Sequence, residues 1–232
     1  MIKTDRLLFP RRCPICDEII TDDNLICKEC ITIPRRVSQP RCFRCSKHID
    51  SFNEEYCEDC KKSTKSFSRG LALYEYDSVK DSINNFKNTS RPEYGVFYAD
   101  RIAKYLGEEI KEFKADALIP IPLHKSKFQK RGYNQSEILA RHLSKSLGIP
   151  VAGDVLIRQK KTKEQKKLSD EQRQKNLTGA FHIAEKGVKL DTVILVDDVY
   201  TTGSTLDEAG KVLLEAGIKK VYFVTVAVGI DK

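Results

Sequence analysis

The chain has 232 residues, 40% hydrophobic and 32% charged, and carries a formal net charge of +8. That length allows one medium domain and a small one, with enough apolar residues for a core. No apolar run approaches the roughly 20 residues of a membrane span, so no membrane insertion is expected, and a modest positive balance does not by itself make a nucleic-acid binder.

The eight cysteines all lie before position 61, in four C-x-x-C pairs: Cys13/Cys16, Cys27/Cys30, Cys42/Cys45 and Cys57/Cys60. Ten residues separate the first two pairs and eleven each later neighbouring pair. This is zinc-ribbon spacing, in which two knuckles complete one tetrahedral thiolate site. Two structural Zn²⁺ ions are expected. Successive pairing is favoured over a cross-braced arrangement because Cys13-Pro14-Ile15-Cys16 and Cys42-Phe43-Arg44-Cys45 open units of similar length. A disulfide framework needs an oxidising compartment, and Met1 to Arg6 leads into no long apolar run, so a cytoplasmic location is expected. A four-thiolate zinc site contributes about −2. The front segment is otherwise nearly balanced, so any nucleic-acid surface there must be local. Arg35, Arg36, Arg41 and Arg44 are its candidates, with a solvated linker face as the plain alternative.

After about Phe67 the pattern changes, and the division expected is 1–65 for the ribbons and 66–232 for the body. Leu71–Tyr76 reads as a strand. Val79, Ile83 and Phe86 fit a short helix capped near Asp77 or Ser78, and Ile102, Leu106, Ile110 and Phe113 fit a longer one. Ala117–Leu123 is a strand ending in prolines. A basic turn, His124 to Gln135, follows it, and then a helix carrying Ile138, Leu139, Leu143 and Leu147. Val151–Ile157 is a further candidate strand, and Val221–Val228 the last. Near-continuous apolar strands alternating with helices predict a parallel α/β sheet covered on both faces. The segment from Arg158 to Leu177 holds eight Lys/Arg against three acids and reads as a flap or insertion. Gly179-Ala180-Phe181 then re-enters the fold.

The most specific stretch runs from Val193 to Thr205. Four apolar residues, Val193 to Val196, form a buried strand. Two aspartates, Asp197 and Asp198, follow. A small hydroxyl-and-glycine loop, Thr201-Thr202-Gly203-Ser204-Thr205, then leads into a helix patterned by Leu206, Ala209, Val212, Leu213 and Ala216. Loop amides beside a helix N-terminus hold an anion. The aspartates are acceptors suited to sugar hydroxyls or a hydrated divalent cation. In the turn at the same sheet edge, Lys125, Lys127 and Arg131 are candidates to hold a pyrophosphate. His124 is a weaker candidate for acid or base work.

The stretch resembles the phosphoribosyl-pyrophosphate (PRPP) motif of type I phosphoribosyltransferases. The resemblance implies that Asp197 and Asp198 hold ribose hydroxyls and that Thr201 to Thr205 hold the 5′-phosphate, with Mg²⁺ accompanying PRPP. The double ribbon, the Pro-Ile-Pro strand, Arg131-Gly132-Tyr133-Asn134-Gln135, Gln165 with Arg173, and Asn176 to Phe181 extend the likeness to the ComF family, in its ComFC branch. That resemblance implies a cytoplasmic phosphoribosyltransferase-fold protein of natural transformation, handling incoming single-stranded DNA with the helicase ComFA. GntX-type proteins outside competence share the family. A metabolic phosphoribosyltransferase with the ribbons as scaffold, and a non-catalytic adaptor with a PRPP-sensing site, are the alternatives. If catalytic, the protein would transfer a phosphoribosyl group and release pyrophosphate, but no residue names the acceptor.

Overall fold

A computed structural model describes residues 10–159, 179–184 and 189–229. The expected flap lies outside the described residues, except Arg158 and Gln159. The two ribbons are one unit built twice. In the first knuckle the Cys13 amide donates to Glu18 O and the Asp17 amide returns to Cys13 O. In the second the Cys42 amide donates to Lys47 O and the Ser46 amide to Cys42 O. Asp17 and Ser46 occupy the same left-handed turn position, with φ of 62° and 66°. A 3₁₀ turn, Lys28–Cys30, starts after Cys27, and a short helix, α1 (Glu58–Lys62), starts after Cys57.

The body alternates β1 (Arg69–Glu75), α2 (Tyr76–Asn88), α3 (Tyr94–Glu112), β2 (Ala117–Pro120), α4 (Lys125–Arg131) and α5 (Gln135–Leu147). It continues with β3 (Leu156–Arg158), β4 (Phe181–Ile183), β5 (Thr192–Tyr200), α6 (Ser204–Glu215) and β6 (Lys220–Val228). Four strands form a parallel sheet in the order β1-β6-β5-β2. Successive apolar residues go to opposite faces, as period-two strands must. Leu71, Leu73, Ile194, Val196, Val224 and Val226 pack toward α2, α3 and α5, with Cys13, Ile20 and Ile26 of the first ribbon in the same cluster. Ala72, Val193, Leu195 and Phe223 pack toward α6 and the β3–β4 hairpin, with Cys42, Cys45 and Ile49 of the second ribbon.

The ribbons therefore sit on opposite faces of the sheet. The segment between them crosses its edge: the Val37 amide donates to Leu73 O, and the Glu75 amide to Arg35 O, covering β1. The chain joins the body at Ser66, whose amide donates to Asp207 Oδ1 at 2.6 Å, and at Ser68, whose amide donates to Val221 O.

Four local expectations are corrected. β1 turns directly into α2, so the helix begins at Tyr76. Asp77 and Ser78 lie in its first turn rather than capping it, and Ser78 Oγ donates to Glu75 O. β5 does not stop before the aspartates: Asp197 registers with Thr225 and Tyr200 with Val228, because β6 is equally long and continues the ladder past them. Val151–Ile157 is not one strand. Val151 bridges Leu118, and Leu156–Arg158 turns away to pair antiparallel with β4. The basic turn after β2 is the helix α4, closed by Gly132 at φ 83°, a left-handed cap that glycine adopts without strain.

Candidate functional site

The carboxyl ends of β5 and β2 open into a cavity of about 700 Å³. In an open parallel sheet this is where ligands bind. Its floor is the acidic pair. Asp198 is buried, and its Oδ1 lies 2.8 Å from Lys87 Nζ, while its Oδ2 has no hydrogen-bond partner among the described residues. Asp197 Oδ1 accepts from Ser136 Oγ and from the Asp198 amide, both at 2.9 Å. Burial, and then the neighbouring Asp198, push the Asp197 carboxyl up to about 7.

The wall is the loop into α6. Gly203, at φ 75°, is the helix N-cap and offers no side-chain cap to the first turn of α6. A Cβ at Gly203 would lie 2.6 Å from the Tyr200 hydroxyl, so only glycine fits there. Thr201, Gly203, Ser204 and Thr205 line the cavity. Thr202 is not among the lining residues, and its Oγ1 lies 2.8 Å from Ser204 Oγ.

Of the pyrophosphate candidates, Lys127 and Arg131 line the cavity, whereas Lys125 is exposed and does not. Arg131 donates to Gln135 Oε1, and burial pulls its pKa down. His124 is the N-cap of α4: its Nδ1 accepts from the Ser126 amide at 3.2 Å, and it is not among the lining residues. The cavity also contains groups that sequence reasoning missed. These are Tyr76, Asn84, Lys87 and Asn88, from α2; Arg158, the first residue of the expected flap, also lines the cavity, from β3. Arg158 lies over the Phe181 ring at 5.3 Å. Only the polar stripe of an amphipathic helix signalled Asn84, Lys87 and Asn88 in the sequence.

Each cysteine quartet gathers its four sulfurs within 4.8 Å of one another: Cys13, Cys16, Cys27 and Cys30, then Cys42, Cys45, Cys57 and Cys60. Pairing is therefore successive. Sulfur separations of 3.7 Å (Cys16–Cys27) and 3.6 Å (Cys45–Cys57) match the edge of a tetrahedron with about 2.3 Å metal–sulfur bonds, roughly 3.8 Å. The donor sets fit two structural zinc ions, with no ligand position left for chemistry.

The four ribbon arginines are engaged within the chain. Arg35 Nε lies 2.9 Å from Glu75, and Arg41 Nη2 lies 3.0 Å from Glu109. Arg36 stacks over Tyr105 at 4.4 Å. Arg44 donates to Cys60 O at 2.7 Å and lies over Tyr56. Arg36 and Arg41 share one surface groove; Arg35 and Arg44 are not part of it.

Comparison with known proteins agrees with this geometry. A family model described as "Phosphoribosyl transferase domain" matches residues 98–232, and one described as "Double zinc ribbon domain" matches residues 5–61. Competence protein F of Haemophilus influenzae is 32% identical over 195 residues, covering 79% of this chain and 82% of that one. Competence protein ComFC of Streptococcus pneumoniae is 28% identical over 204 residues, covering 86% of each. DNA utilization protein YhgH of Escherichia coli is 26% identical over 217 residues, covering 90% of this chain and 86% of that one. The class is thus a phosphoribosyltransferase domain joined to a double zinc ribbon, and the chain belongs to the ComF family. No helix among the described residues is long and apolar enough to cross a membrane.

Proposed function

We propose that this protein binds PRPP with Mg²⁺ in the cavity above β5 and acts in natural transformation or DNA utilization, handling incoming single-stranded DNA with a helicase partner in the cytoplasm. The observation that carries the reading is the start of α6, without a side-chain cap, beside an acidic pair, half-buried Asp197 and buried Asp198, at the sheet's carboxyl edge. Asp197 and Asp198 would accept from the ribose hydroxyls. The Thr201–Thr205 loop would hold the 5′-phosphate, its amides and the helix dipole favouring the anion. Lys127 and Arg131 would face the pyrophosphate, and Lys87 would keep Asp198 from repelling it. Mg²⁺ would supply charge neutralisation on the pyrophosphate. Transfer, if it occurs, needs positioning and charge stabilisation rather than a protein nucleophile. The names of the relatives support the DNA role. The ribbons (1–65) and body (66–232) are taken as its two functional parts.

Calorimetry of the zinc-loaded protein with Mg²⁺ and PRPP is the test. Binding should be measurable and should weaken at least tenfold in Asp197→Ala and Asp198→Ala. No binding to the wild type, or affinity unchanged from wild type in both variants, refutes the site. Pyrophosphate release with candidate acceptors would distinguish a metabolic transferase from a PRPP-sensing adaptor.

A further inference from the structure

Lys87 reaches Asp198 from the last turn of α2. Just beyond that turn, the chain is gripped by a residue of the first zinc knuckle. Asp17 Oδ2 lies 2.9 Å from Arg91 Nη2, and Asp17 Oδ1 accepts from the hydroxyl of Tyr94, a buried residue at the start of α3. Asp17 is itself fixed. Its amide donates to Cys13 O at 2.9 Å, its carbonyl accepts from Arg12 Nη1 at 2.7 Å, and it directly follows Cys16. The knuckle does not require this carboxylate, because the second knuckle makes the same turn with Ser46.

The other end of α2 is held from the same module. Arg35 pairs with Glu75, and its amide donates to Ser78 Oγ at 3.0 Å. Between these ends, Phe86 packs against the Tyr98 and Tyr133 rings, and Tyr133 donates to Phe86 O. The helix that brings Lys87, Asn84 and Asn88 into the cavity is thus fastened at both termini to the zinc-binding segment.

We propose that Asp17 and Arg91 are positioning residues, a clamp through which the first zinc knuckle sets α2 and hence places Lys87 against the acidic pair of the phosphorylated-sugar site. The inference deepens the PRPP reading and rests on it for its ligand. A cation beside two carboxylates matters there because a polyanionic ligand must approach them. A displaced Lys87 leaves the acidic pair to repel that ligand.

The experiment compares wild type with Asp17→Gly, which keeps the left-handed turn, and with Arg91→Met, Arg91→Lys, Lys87→Met and the Asp17→Gly/Lys87→Met double variant. Zinc content, hydrogen exchange of residues 76–88 and PRPP affinity are measured on each full chain. The clamp predicts two zinc ions retained, faster exchange in α2 and about tenfold weaker PRPP binding for Asp17→Gly and Arg91→Met. Arg91→Lys should retain most of the affinity. In the Lys87→Met background the Asp17→Gly loss should largely vanish, which a merely structural weakening would not produce. Unchanged exchange in α2, or losses that add in full, overturns the proposal. If Asp17→Gly loses a zinc, Arg91→Met, outside the knuckle, decides. If wild type binds no PRPP, the site reading fails, and exchange in α2 alone decides the clamp.

Discussion

Asp197 costs the fold stability that Asp197→Asn should restore, and the size of the effect should depend on pH. In the fold its carboxyl is pushed up to about 7, first by burial and then by Asp198. In the unfolded chain it titrates near 3.9. The raised value means that the folded state keeps a proton which the unfolded state releases. Below about pH 4 both states are protonated and there is no cost. Between about 4 and 7 stability falls as pH rises, and above 7 the cost is constant. At 1.36 kcal/mol per pH unit the ceiling is about 4 kcal/mol.

Asparagine keeps an Oδ1 that can accept from Ser136 Oγ and the Asp198 amide but cannot ionise. The assay is thermal unfolding of both proteins from pH 5.5 to 8, without Mg²⁺. Lower pH is avoided because zinc thiolates reprotonate. Over that range the advantage of the asparagine variant should grow by about 2 kcal/mol, roughly 4–8 °C for a chain of this size. A constant difference in Tm from pH 5.5 to 8 would show that Asp197 ionises in the fold as it does in the unfolded chain, and the reasoning would fail.

Elemental analysis of protein purified reduced and without chelator should find two zinc ions per chain, and one or none would refute the assignment of both quartets. Gly203→Ala should cost roughly 1–3 kcal/mol in denaturant unfolding, because it combines a positive φ with a Cβ 2.6 Å from the Tyr200 hydroxyl; a loss under about 0.5 kcal/mol would show that the loop relaxes freely. Single-stranded DNA should bind the ribbon arginines weakly and without sequence preference, with Arg35 and Arg41 held back by Glu75 and Glu109. The slope of log affinity against log salt should be near −1.4 from Arg36 and Arg44 alone, and about −2.8 would mean that all four leave their partners for phosphate.

The metal sites were legible because cysteine spacing specifies a ligand set directly, and gathering the sulfurs of each quartet needs no long-range information beyond it. The loop from Asp197 to Thr205 was legible because strand, acids, hydroxyls and helix are contiguous. What could not be read depends on contacts distant in sequence. Arg41 looks like a free cation until Glu109, on α3, comes beside it. Lys87 looks like one more solvent-facing lysine, because helical periodicity gives its side of α2 but not what that side faces. The antiparallel β3–β4 hairpin joins segments separated by the cationic stretch, so neither strand announces the other. The basic stretch after β2 reads as a turn since its apolar content is low. His124, Gly132 and Asn134, a cap, a stop and a second cap, carry the helix signal instead.

The placement of the ribbons bears on why a small module needs zinc. Ile20 and Ile26 of the first ribbon lie in the core shared with Leu71 and Tyr94, and Val37 and Ile49 lie in the one shared with Ala72 and Phe223. A segment this short encloses too little apolar surface to fold by burial alone. Its apolar side chains instead complete two faces of a sheet that needs cover on both. The metals fix the geometry of each knuckle, and the segment between them pairs with β1 and closes an otherwise open edge. Arg35 and Arg36 belong to that edge pairing, which sets them against Glu75 and Tyr105 while leaving both side chains exposed. The arginine cluster is thus first a device for seating the ribbons on the sheet, and any phosphate it takes must compete with that role.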